Sequence, residues 1–435
     1  MSYLAHPFFF KIYFIHMTTV FATIITIGDE LLIGQVVDTN SAWMAQQLNE
    51  TGILVKKRIS VGDNAADIID ALNKAAASSS IVLITGGLGP TADDITKPVL
   101  CKYFGTELVM NEAALQNIQT IFAKLNRPLT ERNIKQAEVP ASCTVLQNAR
   151  GTAPGMWFEQ NDIVFVSMPG VPHEMKGMMT NDVLPRLAQH MQLPAVLHRT
   201  LLTAGIGESF LADLIEAWEV KLPANIKLAY LPNYGMVRLR LTATGPEKMM
   251  LEKALDEQFT QLQLLVKEYM VTDRDEPLEL VCARLLKAHT KVLVTAESCT
   301  GGYISHLITS HAGSSDYYAG SIVSYSYYLK QQLLGVKPNT LKQQGAVSEA
   351  VVTEMALGAL QNTEADYAIA VSGIMGPGGA TPDKPVGTVW MAVAGPNGVD
   401  TQLMQFRFDR RRNIELTATY ALNMLRKRLV LDLGE

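Results

Sequence analysis

Short apolar runs of β-forming residues alternate with helix-forming segments along much of this 435-residue chain. ATIITIG (22–28), ILVKKRISV (53–61) and IVLIT (81–85) have the composition of strands, and helical patterns lie between them at 40–51 and 63–77. Strands and helices that alternate at this spacing predict a parallel sheet with helices on both faces. Because such sheets bind ligands at the carboxyl ends of their strands, we expect functional residues directly after each strand.

The alternation is interrupted in the middle of the chain and then returns. Residues 176–271 contain a helix (207–219), an alternating strand (236–245) and a further helix (247–269), which predicts a small α+β module. After a polar linker we expect strands and helices in this order: helix 277–289, strand 291–296, helix 301–311, strand 318–324, helices 326–334 and 349–361, strands 366–372, 387–394 and 401–408, and helix 411–429.

The predicted fold class is therefore α/β. Two three-layer α/β domains with mainly parallel sheets are joined by the small α+β module. The predicted boundaries are 1–16 for an amino-terminal extension, 17–175 for the first domain, 176–271 for the module and 272–435 for the last domain.

Length, charge and cysteine content restrict the class of protein. A chain of 435 residues exceeds the usual size of one hydrophobic core, so several domains are expected. The formal net charge of −5 disfavours a surface that neutralises nucleic-acid phosphates. The four cysteines form no C-x-x-C pair, which favours a reducing compartment over a disulfide framework or a zinc site.

The apolar run FFFKIYFI (8–15) is the segment that most resembles a targeting signal. Lys11 interrupts it, and no small-residue cleavage site follows, so we interpret residues 1–16 as an extension outside the fold, with Met17 as an alternative start. Elsewhere no segment approaches the roughly 20 apolar residues of a membrane helix. The prediction is a cytoplasmic protein without a membrane partner.

The first candidate site combines a glycine-rich loop with polar residues from a second loop. TGGLGPTADDIT (85–96) follows the third predicted strand, and its glycines allow a ligand to approach the backbone closely. GDELLIGQVVDTN (28–40) places Asp38 and Asn40 after the first strand, at the same sheet edge. Carboxylates at this edge could hold a metal that assists attack on a phosphate anhydride. The alternative is a tight turn with a capping aspartate.

These stretches, together with RNIKQAEVP (132–140), NARGTAPG (148–155) and MPGVPHEM (168–175), closely resemble the amino-terminal domain of the CinA family. That domain is similar to molybdopterin-binding domains of the MogA/MoaB type. The resemblance implies metal-dependent hydrolysis of ADP-ribose pyrophosphate, with a divalent cation as cofactor. A domain that only binds a nucleotide or molybdopterin is the alternative.

The same resemblance assigns residues of this chain to roles. Asp38 and Asp94 match the two acidic positions of the pocket and are the expected metal ligands, and Asn40 lies beside them. Gly86, Gly87, Gly89 and Thr91 match the phosphate loop. The middle module resembles the family's small KH-like domain, although its sequence has no G-x-x-G clamp in a basic setting.

The second candidate site is TAESCTGG (295–302), which follows a predicted strand of the last domain. A serine nucleophile needs a base, and the only histidines that follow, His306 and His311, lie on the next predicted helix without an obvious acidic partner. The remaining type of base is a lysine with a lowered pKa. Lys330 follows another strand end at this edge, and the alternative for it is an exposed helix lysine.

Further loops converge on the same predicted edge. SGIMGPGGATPDKPVG (372–387) is rich in glycine and could wrap a phosphate or ribose with backbone amides. FRFDRRRN (406–413) begins the last helix with arginines that could pair with a phosphate, although such a run is also typical of a solvated helix start.

AESCTGG, AGSSDYYAGSIVSYS, LGV, GAVSE, VSGIMGPGG and KPVGTVW resemble the carboxy-terminal CinA domain, the nicotinamide mononucleotide deamidase family, over nearly all of 277–435. The resemblance implies hydrolysis of the nicotinamide carboxamide to nicotinate mononucleotide and ammonia, without a cofactor. It also implies a homodimer. A role in DNA uptake or repair is the alternative from another class, and the acidic charge disfavours it.

In this family a serine is paired with a lysine, which match Ser298 and Lys330, with Tyr325 close by. Ser372, Gly373 and Arg410 match positions that hold the substrate. Cys299 is the alternative nucleophile, because a thiol at a helix start has a lowered pKa. Glu297 is expected to orient the lysine or the loop. Backbone amides at Thr300, Gly301 and Gly302 are the candidate oxyanion hole.

Overall fold

The computed structural model describes residues 20–191, 193–233 and 235–434, so the predicted extension at residues 1–16 lies outside the described residues. The chain forms two compact units. One contains the residues up to Leu197 together with Ala243–Lys253, and the other contains His198–Thr242 together with the residues from Ala254 onward. Within the described ranges, no helix is long and apolar enough to cross a membrane.

The first unit is built on a six-stranded sheet with the order β2-β1-β3-β8-β7-β6. β2, β1, β3 and β8 are parallel, and β7 and β6 continue the sheet in antiparallel fashion. A separate antiparallel pair is formed by β4 and β5. The strands are β1 (Phe21–Ile27), β2 (Leu54–Val61), β3 (Ile81–Thr85), β4 (Leu108–Met110), β5 (Glu138–Pro140), β6 (Thr144–Leu146), β7 (Gly155–Gln160) and β8 (Ile163–Met168).

Helices cover both faces of this sheet, as predicted. They are α1 (Asp29–Leu32), α2 (Thr39–Glu50), α3 (Ala65–Ala76), α4 (Thr96–Phe104), α5 (Glu112–Lys124), α6 (Glu131–Lys135), α7 (Pro172–Met178) and α8 (Leu184–His190), with one π-helical turn at Met179–Val183. Met44 of α2 belongs to one buried cluster and Leu72 of α3 to another, so each face of the sheet has its own core.

The predicted boundary after residue 175 falls inside a continuous helical segment. Met175, Met179 and Leu187 of this segment are fully buried in the same cluster as Ile24 of β1. Because these side chains complete the core of the first sheet, the first unit extends beyond 175 and includes α8. The interruption of the strand–helix alternation after residue 175 did not reveal that these side chains pack on the first sheet.

The small module contains a four-stranded sheet with the order β10-β11-β9-β12. Its elements are β9 (Ala195–Ala204), α9 (Glu208–Glu219), β10 (Ile226–Asn233), β11 (Met236–Gly245), α10 (Lys248–Leu265) and β12 (Met270–Thr272). The helices and β11 match the predicted elements. The pairing of β9 with β12 is long-range, and the three-residue β12 is too short to carry a periodic signal of its own.

The carboxy-terminal sheet has the order β14-β13-β15-β16-β17. β14, β13 and β15 are parallel, and β16 and β17 are antiparallel. The strands are β13 (Leu293–Glu297), β14 (Tyr318–Val323), β15 (Tyr367–Gly373), β16 (Thr388–Gly395) and β17 (Gly398–Gln405). The helices are α11 (Leu278–Ala288), α12 (Tyr303–Thr309), α13 (Tyr327–Leu334), α14 (Pro338–Gln344), α15 (Glu349–Gln361) and α16 (Arg410–Leu433).

One glycine allows α13 to lie directly against α15. A Cβ atom built on Gly358 of α15 would lie 1.8 Å from the backbone oxygen of Leu334 at the end of α13. A side chain at this position would therefore force the two helices apart. Since α13 also carries Lys330, this helix contact helps to fix the position of that lysine.

We predict that Gly358→Ala destabilises the protein. The added methyl group meets backbone rather than a flexible side chain, so the expected cost is about 1–3 kcal/mol or more. Thermal unfolding followed by calorimetry should show a transition several degrees lower. Gly207→Ala is the control, because a Cβ there has only an ordinary 3.7 Å contact with Phe210, and its expected cost is under about 1 kcal/mol. Equal melting temperatures for the two variants would contradict the assigned helix contact.

Candidate functional site

The glycine-rich loop of the first site is folded around Asp94. The backbone N–H of Gly89 donates to one carboxylate oxygen at 2.7 Å, and the backbone N–H of Thr91 donates to the other at 2.9 Å. The Thr91 hydroxyl donates to the same oxygen as its own N–H. Asp94 therefore determines the shape of the loop, and both of its oxygens already accept hydrogen bonds.

The loop also depends on a close approach of backbone at Gly86. This glycine has a φ of 113°, and a Cβ atom built on it would lie 2.1 Å from the Ile27 oxygen, which leaves no room for a side chain. The Thr96 hydroxyl donates to the Gly86 oxygen at 3.0 Å and ties the start of the loop to α4. The structure thus brings Gly86, Gly87 and Gly89 into one turn after β3.

Asp38 lies at the other side of the same sheet edge and caps α2. Its carboxylate accepts from the Ser41 backbone N–H at 2.9 Å and from the Ser41 hydroxyl. The Arg58 guanidinium lies 3.9 Å from it. Asn40 donates from Nδ2 to the Gly170 oxygen at 2.7 Å, and among the described residues its Oδ1 has no hydrogen-bond partner although it is buried.

A cavity of about 110 Å³ lies at this edge, and its lining includes Asp38, Asn40, Thr85 and Gly170. The two predicted metal ligands do not form a ready metal centre, because each carboxylate is already engaged by loop or helix donors. In the part of the chain that the structure describes, no group of three histidine, cysteine or acidic side chains is arranged to hold a metal. These contacts fit a helix cap at Asp38 and a turn organised by Asp94 better than a preformed metal site.

The second site is built at the carboxyl ends of three adjacent parallel strands. Glu297 is paired with Val323 on one side and with Val371 on the other. The ladder continues one residue further, because the Ser298 N–H donates to the Val371 oxygen and the Ser324 N–H donates to the Glu297 oxygen. This register aligns Ser324, Ser298 and Ser372 in one row across the three strand ends.

Lys330 reaches Ser298 from the first turn of α13. The Ser326 side chain caps this helix by accepting the Leu329 N–H at 3.2 Å. Lys330 is 1% exposed, and its Nζ lies 2.8 Å from Ser298 Oγ, 2.6 Å from the Ser324 oxygen and 3.5 Å from the Tyr325 oxygen. Burial lowers the pKa of Lys330 to about 8.

The three acceptors around Nζ determine how a neutral lysine would be oriented. An uncharged amine has two N–H bonds and one lone pair. The carbonyl oxygens of Ser324 and Tyr325 can only accept, so they take the two N–H bonds. The lone pair is then left for the hydroxyl proton of Ser298, which is the arrangement that a general base requires.

The surroundings of Cys299 disfavour it as the nucleophile. The side chain is buried, and burial raises the pKa of its thiol to about 12. The nearby Glu297 carboxylate also raises this pKa. The expectation of a lowered pKa at a helix start is therefore wrong, because loss of solvation outweighs the effect of the helix.

Glu297 orients the loop that follows Ser298. It is fully buried and accepts hydrogen bonds from the Thr300 hydroxyl at 2.6 Å and from the backbone N–H groups of Gly302, Ile304 and Ser305 at 2.8–3.1 Å. The carboxylate thus caps the start of α12 and holds the segment after the nucleophile in place. Of the two expected roles, orientation of the lysine or of the loop, these contacts fit the loop.

The predicted oxyanion hole is only partly available. The Gly302 N–H donates to the Glu297 carboxylate, and the Gly301 N–H donates to the backbone carbonyl oxygen of Ser298 at 3.2 Å. These two amides serve the loop itself. Of the three predicted donors, the Thr300 amide remains a candidate, and it lies beside the Cys299 thiol.

The other predicted residues lie at the same edge with different roles. The Arg410 guanidinium donates to the Gly376 oxygen at 2.8 Å and to the Tyr325 hydroxyl at 3.3 Å. The Tyr325 ring is 64% exposed, so the ring lies at the surface while the backbone oxygen faces Lys330. Ser372 donates to the Ala346 oxygen at 2.8 Å. Gly373 has no room for a side chain against Val389.

Asn413 was not predicted as a site residue, although it supports the segment that carries Arg410. Its fully buried side chain donates to the oxygens of Met375 and Phe408 and accepts the Phe408 N–H. It therefore fastens the glycine-rich loop to the start of α16, where Arg410 lies. The sequence RRRN suggested only a charged helix start, and the buried contact depends on the tertiary fold.

The histidines do not replace Lys330 as a base for Ser298. His311 lies after α12, and its Nε2 is 3.2 Å from the Glu279 carboxylate. The expectation that no acidic group accompanies it is wrong, but the Ser298 hydroxyl has its hydrogen bond with Lys330.

Comparison with protein-family models divides the chain into three matched segments. Residues 23–189 match a probable molybdopterin binding domain, residues 198–271 match the damage-inducible protein CinA KH domain, and residues 275–429 match the CinA C-terminal domain. These segments follow the order of the three predicted regions.

Curated relatives match over almost the whole chain. CinA-like proteins of Cytophaga hutchinsonii and Flavobacterium psychrophilum are each 44% identical to it, covering 95% and 94% of this chain and 99% and 98% of their own lengths. The crystal structure of a CinA superfamily protein from Klebsiella pneumoniae is 37% identical, covers 35% of this chain and 96% of its own, and has a TM-score of 0.35. Because the curated relatives match over almost their whole length, the chain belongs to the CinA family.

Proposed function

We propose that this protein hydrolyses the carboxamide of nicotinamide mononucleotide, with Ser298 as nucleophile and Lys330 as its base. The observation that carries the proposal is the 2.8 Å contact between Lys330 Nζ and Ser298 Oγ in a buried setting that lowers the pKa of the lysine to about 8. A lysine with this pKa is partly neutral near physiological pH, so it can accept a proton.

In the proposed first half-reaction, Ser298 Oγ attacks the carboxamide carbon while its proton moves to Lys330 Nζ. The tetrahedral intermediate collapses when the C–N bond breaks, and the lysine returns its proton to the departing nitrogen, which leaves as ammonia. The product is an ester between the nicotinoyl group and Ser298. The Thr300 backbone amide supports the charge on the carbonyl oxygen.

In the second half-reaction, water attacks the ester carbon and gives its proton to Lys330. Collapse of the second intermediate releases nicotinate mononucleotide and restores the Ser298 hydroxyl, which regains its proton from the lysine. The sum is one amide and one water converted to one carboxylic acid and one ammonia. Every proton transfer is supplied by side chains of this chain, and no metal is needed.

The nucleotide part of the substrate has candidate partners at the same edge. Arg410 carries a positive charge next to the exposed ring of Tyr325 and the glycine-rich loop at Gly376. A guanidinium can pair with a phosphate, and loop amides can surround a phosphate or ribose. We propose that Arg410 binds the phosphate and that Tyr325 contacts the substrate beside it. Gly373 and Ser372 shape the floor of the site.

For the amino-terminal domain we propose binding of a nucleotide diphosphate such as ADP-ribose at the loop around Asp94. The support is a cavity beside Asp38 and Asn40 and a loop whose shape is fixed by the Asp94 carboxylate. Metal-dependent hydrolysis at Asp38 and Asp94 requires a donor set that these engaged carboxylates do not offer by themselves, so no hydrolytic step is derived. Molybdopterin is the second candidate ligand, because the matched family model is that of a probable molybdopterin binding domain.

The proposed setting is cytoplasmic. All four cysteines are free, which fits a reducing compartment. A homodimer is proposed from the family resemblance, and sedimentation of the purified protein measures it.

We predict that ammonia release from nicotinamide mononucleotide depends on Ser298 and Lys330 but not on Cys299. In Ser298→Ala and Lys330→Ala, kcat should fall at least 10³-fold, because each side chain acts directly in bond making or proton transfer. Cys299→Ala should keep kcat within about threefold. The assay contains a chelator throughout. Loss of activity in Cys299→Ala with retention in Ser298→Ala would contradict the assignment of the nucleophile.

We predict that kcat/KM increases with pH and levels off above about pH 8. The neutral form of Lys330 is the base, and at pH 7 about a tenth of a lysine with a pKa of about 8 is neutral. The rate should therefore rise nearly tenfold per pH unit below pH 7. Lys330→Arg should be inactive across pH 6–9, because arginine stays protonated. A flat wild-type profile over this range would contradict a titrating lysine base.

We predict that Asp94→Ala weakens ADP-ribose binding about tenfold or more, since the loop loses the carboxylate that its amides contact. Calorimetric titration with and without Mg²⁺ measures binding, and phosphate-ester products are followed in parallel. Asp70→Asn is the control, because Asp70 is an exposed partner of Lys74 on α3. Unchanged affinity in Asp94→Ala would exclude this loop as the binding site.

A further inference from the structure

The buried hydroxyl of Ser324 stands out in the row of serines at the second site. Ser324 is fully buried, and among the described residues no hydrogen-bond partner lies within reach of its Oγ atom. A buried hydroxyl without a partner costs about 1–3 kcal/mol, so such groups in native proteins call for an explanation.

The backbone of Ser324 is held tightly on both sides. Its N–H donates to the Glu297 oxygen at 2.9 Å, and its own oxygen accepts Lys330 Nζ at 2.6 Å. These two bonds restrict the backbone of Ser324. A rigid backbone with an unsatisfied hydroxyl is typical of a group prepared for a ligand.

The register places this hydroxyl next to the reacting atoms. Ser324 is the neighbour of Ser298 in the parallel ladder, and residues side by side in such a ladder project to the same face of the sheet. Lys330 Nζ contacts both residues, through the hydroxyl of Ser298 and the carbonyl oxygen of Ser324. Ser372, on the other side of Ser298, has its hydroxyl bound to the Ala346 oxygen and is not available in the same way.

We propose that Ser324 is a further catalytic residue, whose hydroxyl binds the carboxamide nitrogen of the substrate and then the hydrolytic water. This inference rests on the proposed amidase function. The amine leaves and the water enters through the same position at the acyl carbon, because the second half-reaction is the first in reverse with water in place of ammonia. A hydroxyl can serve both partners, since it accepts from an amide N–H and can accept from or donate to water.

The position beside Lys330 also fits the path of the protons. The lysine must return a proton to the departing nitrogen and then take one from the incoming water. Both transfers need the leaving nitrogen and the water to lie within hydrogen-bond reach of Nζ. The backbone oxygen of Ser324 accepts from Nζ at 2.6 Å, so a nitrogen or water bound at the hydroxyl of the same residue would lie near the lysine.

The test compares Ser324→Ala with Ser167→Ala. Ser167 lies in β8 of the first unit and is the matched control, because it too is fully buried with a hydroxyl that lacks a hydrogen-bond partner among the described residues. Steady-state ammonia release from nicotinamide mononucleotide and thermal unfolding are measured for both. Ser324→Cys, which nearly preserves the volume, is the second variant if the alanine variant is poorly folded.

The expected result is a kcat at least tenfold lower in Ser324→Ala, with a KM within about twofold and a melting temperature equal to or above that of the wild type. Ser167→Ala should keep the wild-type kcat. A kcat within twofold of the wild type in Ser324→Ala would overturn the proposal. So would a loss of kcat accompanied by a melting temperature several degrees lower, because the hydroxyl would then support the fold.

Failure of this inference is distinguishable from failure of the proposed function. If the wild-type protein releases no ammonia from the nucleotide, the amidase assignment itself fails and Ser324 has no such role. If the wild type is active and Ser324→Ala is equally active, the amidase assignment stands and the role of Ser324 is refuted.

Discussion

The buried contact between Lys330 and Ser298 depends on the ends of β13 and β14 and on the packing of α13 against α15. The Lys330 amine must be removed from solvent for its pKa to fall to about 8, yet its N–H groups must still find hydrogen-bond acceptors. Backbone oxygens at the end of β14 meet this need without adding charge. The position of α13 against Gly358 brings the lysine to them. A lysine moved toward solvent would regain its ordinary pKa and lose its value as a base.

Glu297 accepts hydrogen bonds from the turn on the other side of the nucleophile. The turn after β13 must place Ser298 against Lys330 while leading into α12, and its amides need partners away from water. One buried carboxylate accepts four donors from residues 300–305 and so holds this turn. The same negative charge opposes ionisation of Cys299. A single acidic residue thus supports the fold of the loop and favours the serine over the neighbouring thiol.

The sequence predicted the architecture well where local periodicity was strong. The strands β1, β3, β13 and β15 and the helices α3 and α15 lie within a few residues of their predicted limits. The strands β7 and β8 and the module strands β9 and β12 were not predicted, and the pairing of β8 with β3 and of β9 with β12 is set by distant partners. The site residues Ser298 and Lys330 were identified by resemblance. The internal roles of Glu297 and Gly302 and the buried state of Cys299 emerge only from packing.

Transfer of an acyl group to Ser298, with Lys330 as the base, is the step on which the proposed function depends. The most direct measurement is acid quench of the wild-type protein during turnover of nicotinamide mononucleotide, followed by peptide mass spectrometry. We expect a nicotinoyl-nucleotide ester on the peptide that contains residues 295–302, with fragmentation that assigns the added mass to Ser298. An adduct on Cys299, or ammonia release without any covalent species on quenching at millisecond times, would contradict this mechanism.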